Sequence, residues 1–173
     1  VVALQRELAD GIANFACLVE VATREHINNC INNSRKQDKH ALLIVDMDNF
    51  KKINDTFGHL KGDEALKDGV GHLKNMFRGD DIIGRIGGDE FVVFMNNVTS
   101  REDIVNKAKS IGKAFRKVYS DDANEVIVSA SIGISIYPID GENYEELLDK
   151  SDKALYEVKK NGKNGFCFYH EEK

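Results

Sequence analysis

The segment Ile82-Ile83-Gly84-Arg85-Ile86-Gly87-Gly88-Asp89-Glu90-Phe91-Val92-Val93-Phe94-Met95 holds two apolar runs around a four-residue, glycine-bearing centre. Runs of this length on either side of a turn signal predict a β-hairpin, with Gly87-Gly88-Asp89-Glu90 as its turn. Upstream, Ala41-Leu42-Leu43-Ile44-Val45 is continuously apolar, the pattern of a strand covered on both faces. Residues 50–57 and 63–77 have helical character and are separated by a break at 58–62. Residues 5–33 carry apolar positions at helical spacing and predict one or two further helices.

Downstream, Ser100-Arg101-Glu102-Asp103 forms a capping box. It opens a helix with the stripe Ile104, Ala108, Ile111, Phe115 and Val118. Residues 125–137 are rich in Val, Ile and Ser and predict a strand. Tyr144, Leu147, Leu148, Ala154, Leu155 and Val158 mark a last helix, and residues 165–169 a closing strand. The order predicts an α+β domain whose helices flank a central, mostly antiparallel five-stranded sheet.

With 173 residues and 42% apolar content, the chain has enough material for one well-buried core. It contains one proline, Pro138, and no low-complexity linker or repeat. A net charge of -5 argues against duplex nucleic acid as a partner, because such binding rests on many cationic contacts to phosphate. A compact anion bound by a local cation cluster remains open. Cys17, Cys30 and Cys167 are odd in number and lack C-x-x-C spacing, which argues against a disulfide framework or zinc site and for a reducing compartment. No apolar run approaches the roughly 18 residues of a membrane span, and no signal peptide is visible. The expected location is cytoplasmic, including the cytoplasmic part of a membrane-anchored protein. Because the chain begins Val1-Val2-Ala3 without Met, it reads as a piece of a longer protein. Residues 1–9 would end an upstream linker or signalling helix, and residues 10–173 would form the domain.

Two acidic features fall where a buried sheet would deliver side chains to a surface. They are Asp46 with Asp48, at the end of the apolar strand, and Asp89 with Glu90, in the hairpin turn. Adjacent carboxylates repel, so clustering them gains little unless a cation lies between. Oxygen donors without His or Cys point to magnesium, with manganese as the alternative. The competing reading is that Asp at strand ends and turns serves the backbone. Residues alone leave both readings open.

The combination of motifs is more specific. Arg85-Ile86-Gly87-Gly88-Asp89-Glu90-Phe91 resembles the signature of the GGDEF domain family, the diguanylate cyclases. Asp46-Met47-Asp48-Asn49-Phe50-Lys51-Lys52-Ile53-Asn54-Asp55-Thr56-Phe57-Gly58-His59 is similar to its second motif, continuing into Gly62-Asp63-Glu64-Ala65-Leu66. Ser131-Ile132-Gly133-Ile134-Ser135 and the stretch from Ala154 to Asn164 match later motifs. The register holds over residues 39–168.

The resemblance implies a nucleotidyl-cyclase or polymerase-palm-like fold. It also implies condensation of two GTP into cyclic di-GMP and two pyrophosphates, in a domain dimer. Asp46, Asp89 and the Met47 carbonyl would hold magnesium. Glu90 would be a further ligand or would help deprotonate the attacking 3′-hydroxyl. Gly87 and Gly88 would admit the triphosphate close to the backbone. Asn54 and Asp63 would read guanine, with Asp63 also suited to cap a helix. Lys159 and Lys163 would hold the β- and γ-phosphates, although they also suit a helix C-terminus. Arg78 and Asp81, in Arg78-Gly79-Asp80-Asp81, would form an R-x-x-D site at which product inhibits, with Lys109 near the place of a second cation. An upstream sensory or regulatory domain is implied as a partner.

The chain departs from the family pattern at Ile86, where an aromatic residue is common, and at Lys163, where Arg is common. It departs most at Asp10-Gly11-Ile12-Ala13-Asn14-Phe15-Ala16-Cys17-Leu18, where only Asp10, Ile12 and Phe15 keep the character of the usual entry segment. An active cyclase is therefore set against a catalytically weak or inactive module that binds GTP or cyclic di-GMP. The retained site residues favour the cyclase and the altered entry segment favours the module. A generic NTPase lacks support, since no G-x-x-x-x-G-K-[ST] loop is present.

Overall fold

The nine residues of β1 (His40–Asp48) are all buried, and their side chains feed two separate cores. In the computed structural model, which describes residues 13–170 and side chains from residue 21, Ala41, Leu43, Val45 and Met47 join Ile53, Leu73, Ile111 and Phe115 on one face. Leu42 and Ile44 join Ile27, Ile31, Tyr144, Leu147 and Leu155 on the other. Strand side chains alternate between faces, so a strand with two cores must be apolar throughout. That is why the Ala41 to Val45 run shows no alternation.

The elements in chain order are α1 (Ala13–Asn32), β1, α2 (Phe50–Phe57), α3 (His59–Met76), β2 (Ile82–Arg85), β3 (Glu90–Met95), α4 (Arg101–Phe115), β4 (Lys117–Ser120), β5 (Glu125–Tyr137), α5 (Tyr144–Lys160) and β6 (Gly165–Phe168). The sheet runs β2-β3-β1-β5-β4, with β6 added to β5 in parallel and every other pairing antiparallel. The α+β class, the hairpin and the mostly antiparallel sheet are as expected. Residues 1–9 and Asp10, Gly11 and Ile12 of the altered entry segment lie outside the described residues.

The sheet has six strands among the described residues where five were expected. The addition is β4, and Val118, assigned to a helical stripe, is an exposed residue of it. Helix α4 begins as its capping box predicts, with Ser100 Oγ accepting from the Asp103 N–H at 3.1 Å, and stops at Phe115. Beyond it, the Asp121 carboxylate accepts from the Ala123 and Asn124 N–H groups at 2.9 and 2.7 Å. That turn folds Lys117–Ser120 back onto Glu125–Val128. A four-residue strand held by a side-chain-built turn leaves almost no periodic signal.

The expected break at 58–62 shrinks to Gly58, at φ 82°. Gly62 lies inside α3 and must be glycine there, because the Asn54 side chain fills the space beside it; a Cβ would come 1.9 Å from Asn54 Oδ1. Helix α5 also lies on bare backbone. A Cβ on Gly133 of β5 would fall 1.9 Å from the Ser151 carbonyl oxygen and 2.4 Å from the Leu155 nitrogen. Next to it, Ser151 Oγ is 2.9 Å from the Leu42 carbonyl oxygen and 2.8 Å from Ser135 Oγ, while Ser135 donates to the Leu147 carbonyl at 2.8 Å. These buried hydroxyls fix where α5 sits along β1 and β5.

Candidate active site

Register sets the acidic corner. Asp46 of β1 faces Glu90 of β3 across the ladder, and Ser131 of β5 on its other side. Its parity is that of Leu42 and Ile44, so it points to the face covered by α1 and α5. Like charges opposite one another destabilise a sheet, and Lys159 of α5 offsets this with its ammonium 2.7 Å from Asp46 Oδ2.

The electrostatics follow. Burial, and then the charge of Asp46, hold the Asp89 carboxyl above the usual carboxylate range. Glu90 is raised by the same two causes in the same order. Burial alone would lower the Lys159 ammonium, but the hydrogen bond to Asp46 and the charges of Asp46, Glu90 and Asp89 outweigh it and raise it. The donors are carboxylates with a nearby backbone carbonyl, and a cation already balances them, so their chemistry fits a hard divalent ion. The Met47 N–H donates to the Asp89 carbonyl at 3.1 Å. In an extended strand a residue's N–H and C=O point to the same edge, which puts the Met47 carbonyl on the side of the hairpin turn. Among the described residues, no three His, Cys, Asp or Glu side chains are gathered around one point. Asp46 is turned to Lys159.

The hairpin turn is shaped by a residue to which the sequence reading gave no role. Arg85 Nε donates to the Gly87 carbonyl at 3.1 Å, and its terminal nitrogen donates to the Gly88 carbonyl. The guanidinium thus turns these two carbonyls toward itself. A Cβ on Gly87 would crowd Glu90 Oε2 at 2.7 Å, whereas one on Gly88 would meet nothing within 4 Å. Among the described residues nothing crowds position 88, so space is open in front of the turn.

Asn54 and Asp63 stand on α2 and α3 respectively. Asn54 Oδ1 is buried and has no hydrogen-bond partner among the described residues, although buried polar atoms are almost always paired. Asp63 is exposed and does not cap a helix, since α3 begins four residues earlier, at His59.

Lys163 and Asn164 lie in the loop after α5. The Lys163 ammonium is 3.4 Å from Asn49 Oδ1. Asp48, grouped with Asp46 as a cation-binding feature in the sequence, is used otherwise. Its buried carboxylate accepts from Ser129 Oγ at 2.6 Å, Ser131 Oγ at 2.8 Å and the Asn164 N–H at 3.1 Å.

Arg78 and Asp81 are separate from this corner and line a pocket of about 230 Å³ with Asn96, Asp103, Asn106 and Lys107. Asp81 also holds the backbone, accepting from the Arg78 N–H at 3.0 Å and the Asn96 N–H at 2.9 Å. The α4 lysine lining this pocket is Lys107; Lys109, the expected position, is not among its lining residues.

A family model described as diguanylate cyclase, GGDEF domain, matches residues 20–165. Diguanylate cyclase A of Treponema denticola is 38% identical over 141 residues, covering 81% of this chain and 38% of that protein. The bifunctional diguanylate cyclase/cyclic di-GMP phosphodiesterase MucR of Pseudomonas aeruginosa is 39% identical over 137 residues, covering 78% of this chain and 20% of that protein. The chain thus spans well under half the length of these relatives. Among solved structures, the GGDEF domain of YfiN (TpbB) from Pseudomonas aeruginosa superposes with a TM-score of 0.79 at 27% identity, covering 88% of this chain and 96% of that one. The active GGEEF domain of a diguanylate cyclase from Vibrio cholerae gives 0.74 at 28%, covering 90% and 97%.

Proposed function

Since this chain belongs to the GGDEF domain family of diguanylate cyclases, we propose that it condenses two GTP molecules into cyclic di-GMP and two pyrophosphates. The observation that carries this reading is the facing pair Asp46 and Glu90 beside the Gly87-Gly88-Asp89 turn, with Lys159 reaching the same corner from α5.

In this reading Asn54 and Asp63 bind guanine. A carboxylate accepts from its N1–H and 2-amino group; adenine offers neither donor, so ATP would leave Asp63 unpaired. Because Asn54 Oδ1 has no partner among the described residues, turning the amide from Gly62 toward a ligand donor would give up no hydrogen bond. The Gly87–Gly88 backbone, opened by Arg85, lets the triphosphate approach, and Lys159 and Lys163 neutralise its β- and γ-phosphates. Asp46, Asp89 and the Met47 carbonyl would hold Mg²⁺, or Mn²⁺ in its place, with Glu90 as a further ligand or as acceptor of the 3′-hydroxyl proton. The ion would ease deprotonation of that hydroxyl and offset charge at the α-phosphate as pyrophosphate leaves. Each bond made joins a 3′-oxygen of one GTP to the α-phosphorus of the other, so two copies of the domain must face each other. Arg78 and Asp81 would bind product at their pocket and inhibit.

The second reading, a GTP- or cyclic di-GMP-binding regulatory module, is supported by the altered entry segment at residues 10–18. It is also supported by the relative NbdA of Pseudomonas aeruginosa, 33% identical and named a cyclic di-GMP phosphodiesterase. Incubating the concentrated chain with GTP and Mg²⁺ and separating products by chromatography tests the two, with Asp89→Ala and ATP as controls. Cyclic di-GMP from the parent alone supports the cyclase. No product, even after fusion to a dimerising coiled coil, leaves the module.

A further inference from the structure

Three consecutive residues after α5 have left-handed backbone: Gly162 at φ 104°, Lys163 at φ 65° and Asn164 at φ 53°. Glycine adopts this region freely, but lysine does so at a cost, and such a conformation persists only where its surroundings over-determine it. Here the surroundings are specific. The Lys163 N–H closes the helix end on the Val158 carbonyl at 3.0 Å. The next N–H, that of Asn164, reaches back to Asp48 Oδ2 at 3.1 Å. Asp48 is 2% exposed, and its orientation is set by Ser129 and Ser131, which donate from β5 to its two oxygens. A charged acceptor with a fixed aim strengthens the loop contact beyond that of a neutral one.

From this geometry we infer that Asp48 is a positioning residue: by anchoring the Asn164 N–H it holds the loop so that Lys163 faces a bound triphosphate. The inference rests on the nucleotide-binding reading above. It separates the two aspartates of one strand end by role, Asp46 facing the ligand and Asp48 orienting a cation that does. A merely structural buried carboxylate would affect every guanine nucleotide equally, whereas Asp48 acts only through the phosphates that Lys163 meets.

The test is calorimetric binding of a non-reacting GTP analogue, and of GMP by competition, to the full chain. Asp48→Ser keeps a hydroxyl for the two serines but is too short to reach Asn164. It should weaken the GTP analogue about tenfold while sparing GMP. Asp48→Asn, still able to accept from the Asn164 N–H, should restore most of the loss. Asn164→Val disfavours the left-handed loop from its exposed side without touching the buried pocket, and should reproduce the pattern even if Asp48→Ser does not fold. Combining either with Lys163→Ala should give no more loss than Lys163→Ala alone. Equal weakening of GMP, additive losses, or parental affinity in Asn164→Val would overturn the inference. Failure of the parent to bind the analogue would instead sink the nucleotide-binding reading.

Discussion

The ammonium of Lys159 lies 2.7 Å from Asp46 Oδ2, although the two residues are 113 positions apart in the chain. A cation supplied by the protein thus occupies a carboxylate of the proposed divalent-ion site, and the two should compete. Lys159→Met should raise the affinity of the nucleotide-free domain for Mn²⁺ by roughly threefold to tenfold, since a neighbouring like charge disfavours cation binding. Titration followed by electron paramagnetic resonance reads this directly. GTP turnover should fall in the same variant.

Asp89 and Glu90 are held above the ordinary carboxylate range by burial and by Asp46. The folded state therefore binds these protons more tightly than the unfolded chain does. Their contribution to stability is most favourable below the unfolded values of about 4 and is lost as pH rises through the raised folded values. Without metal, thermal midpoints should decline across that window, and Asp89→Asn should flatten the decline. A bound Mg²⁺ would favour the ionised carboxylates, so adding it should weaken that decline.

Asn54→Ala should separate stability from function. Removing a buried oxygen that has no partner should leave denaturation midpoints unchanged or raise stability by about 1 kcal/mol. If the amide reads guanine, GTP affinity should fall at least tenfold in the same variant. Loss of stability without loss of binding would show that the amide only packs against Gly62.

Gly88→Ala adds a methyl where the chain offers open space, so stability should stay within about 0.5 kcal/mol of the parent. Affinity for GTP should nevertheless drop, as the methyl would meet the triphosphate. Chemical denaturation and calorimetric titration of one sample check both halves.

At the second pocket, Arg78→Ala is the cleaner substitution. Asp81 satisfies two backbone N–H groups, and Asp81→Ala should cost about 1–2 kcal/mol of stability as well as any product binding. If product inhibits there, Arg78→Ala should keep initial rates and lose inhibition by added cyclic di-GMP.

How much of this was legible in the sequence depended on how local each signal was. The Ala41 to Val45 run, the Gly-bearing hairpin and the Ser100 cap are written in adjacent residues, and all three appear where expected. Strand β4 was not legible, because four residues on a turn built by the Asp121 side chain carry no period. At the site, residue types pointed to an acidic corner. The different uses of Asp46 and Asp48 depend on partners that arrive from α5, β5 and the loop beyond, more than 80 residues away. Arg85 could have been suspected, since a cation two residues before a double glycine can fold back on its carbonyls. The seating of Asn54 against Gly62 needed the pairing of two helices.

Gly133 makes the whole arrangement vulnerable at a position outside the proposed site residues. Helix and strand backbones are stacked there with no room for a methyl group, and the helix they seat is the one that carries Lys159 to Asp46. Over generations the surrounding apolar residues can be exchanged for others of similar bulk, but that site has no smaller alternative and no tolerated larger one. A lineage that drifted there would lift its last long helix away from the acidic corner and inherit an intact signature sequence with nothing left to act on.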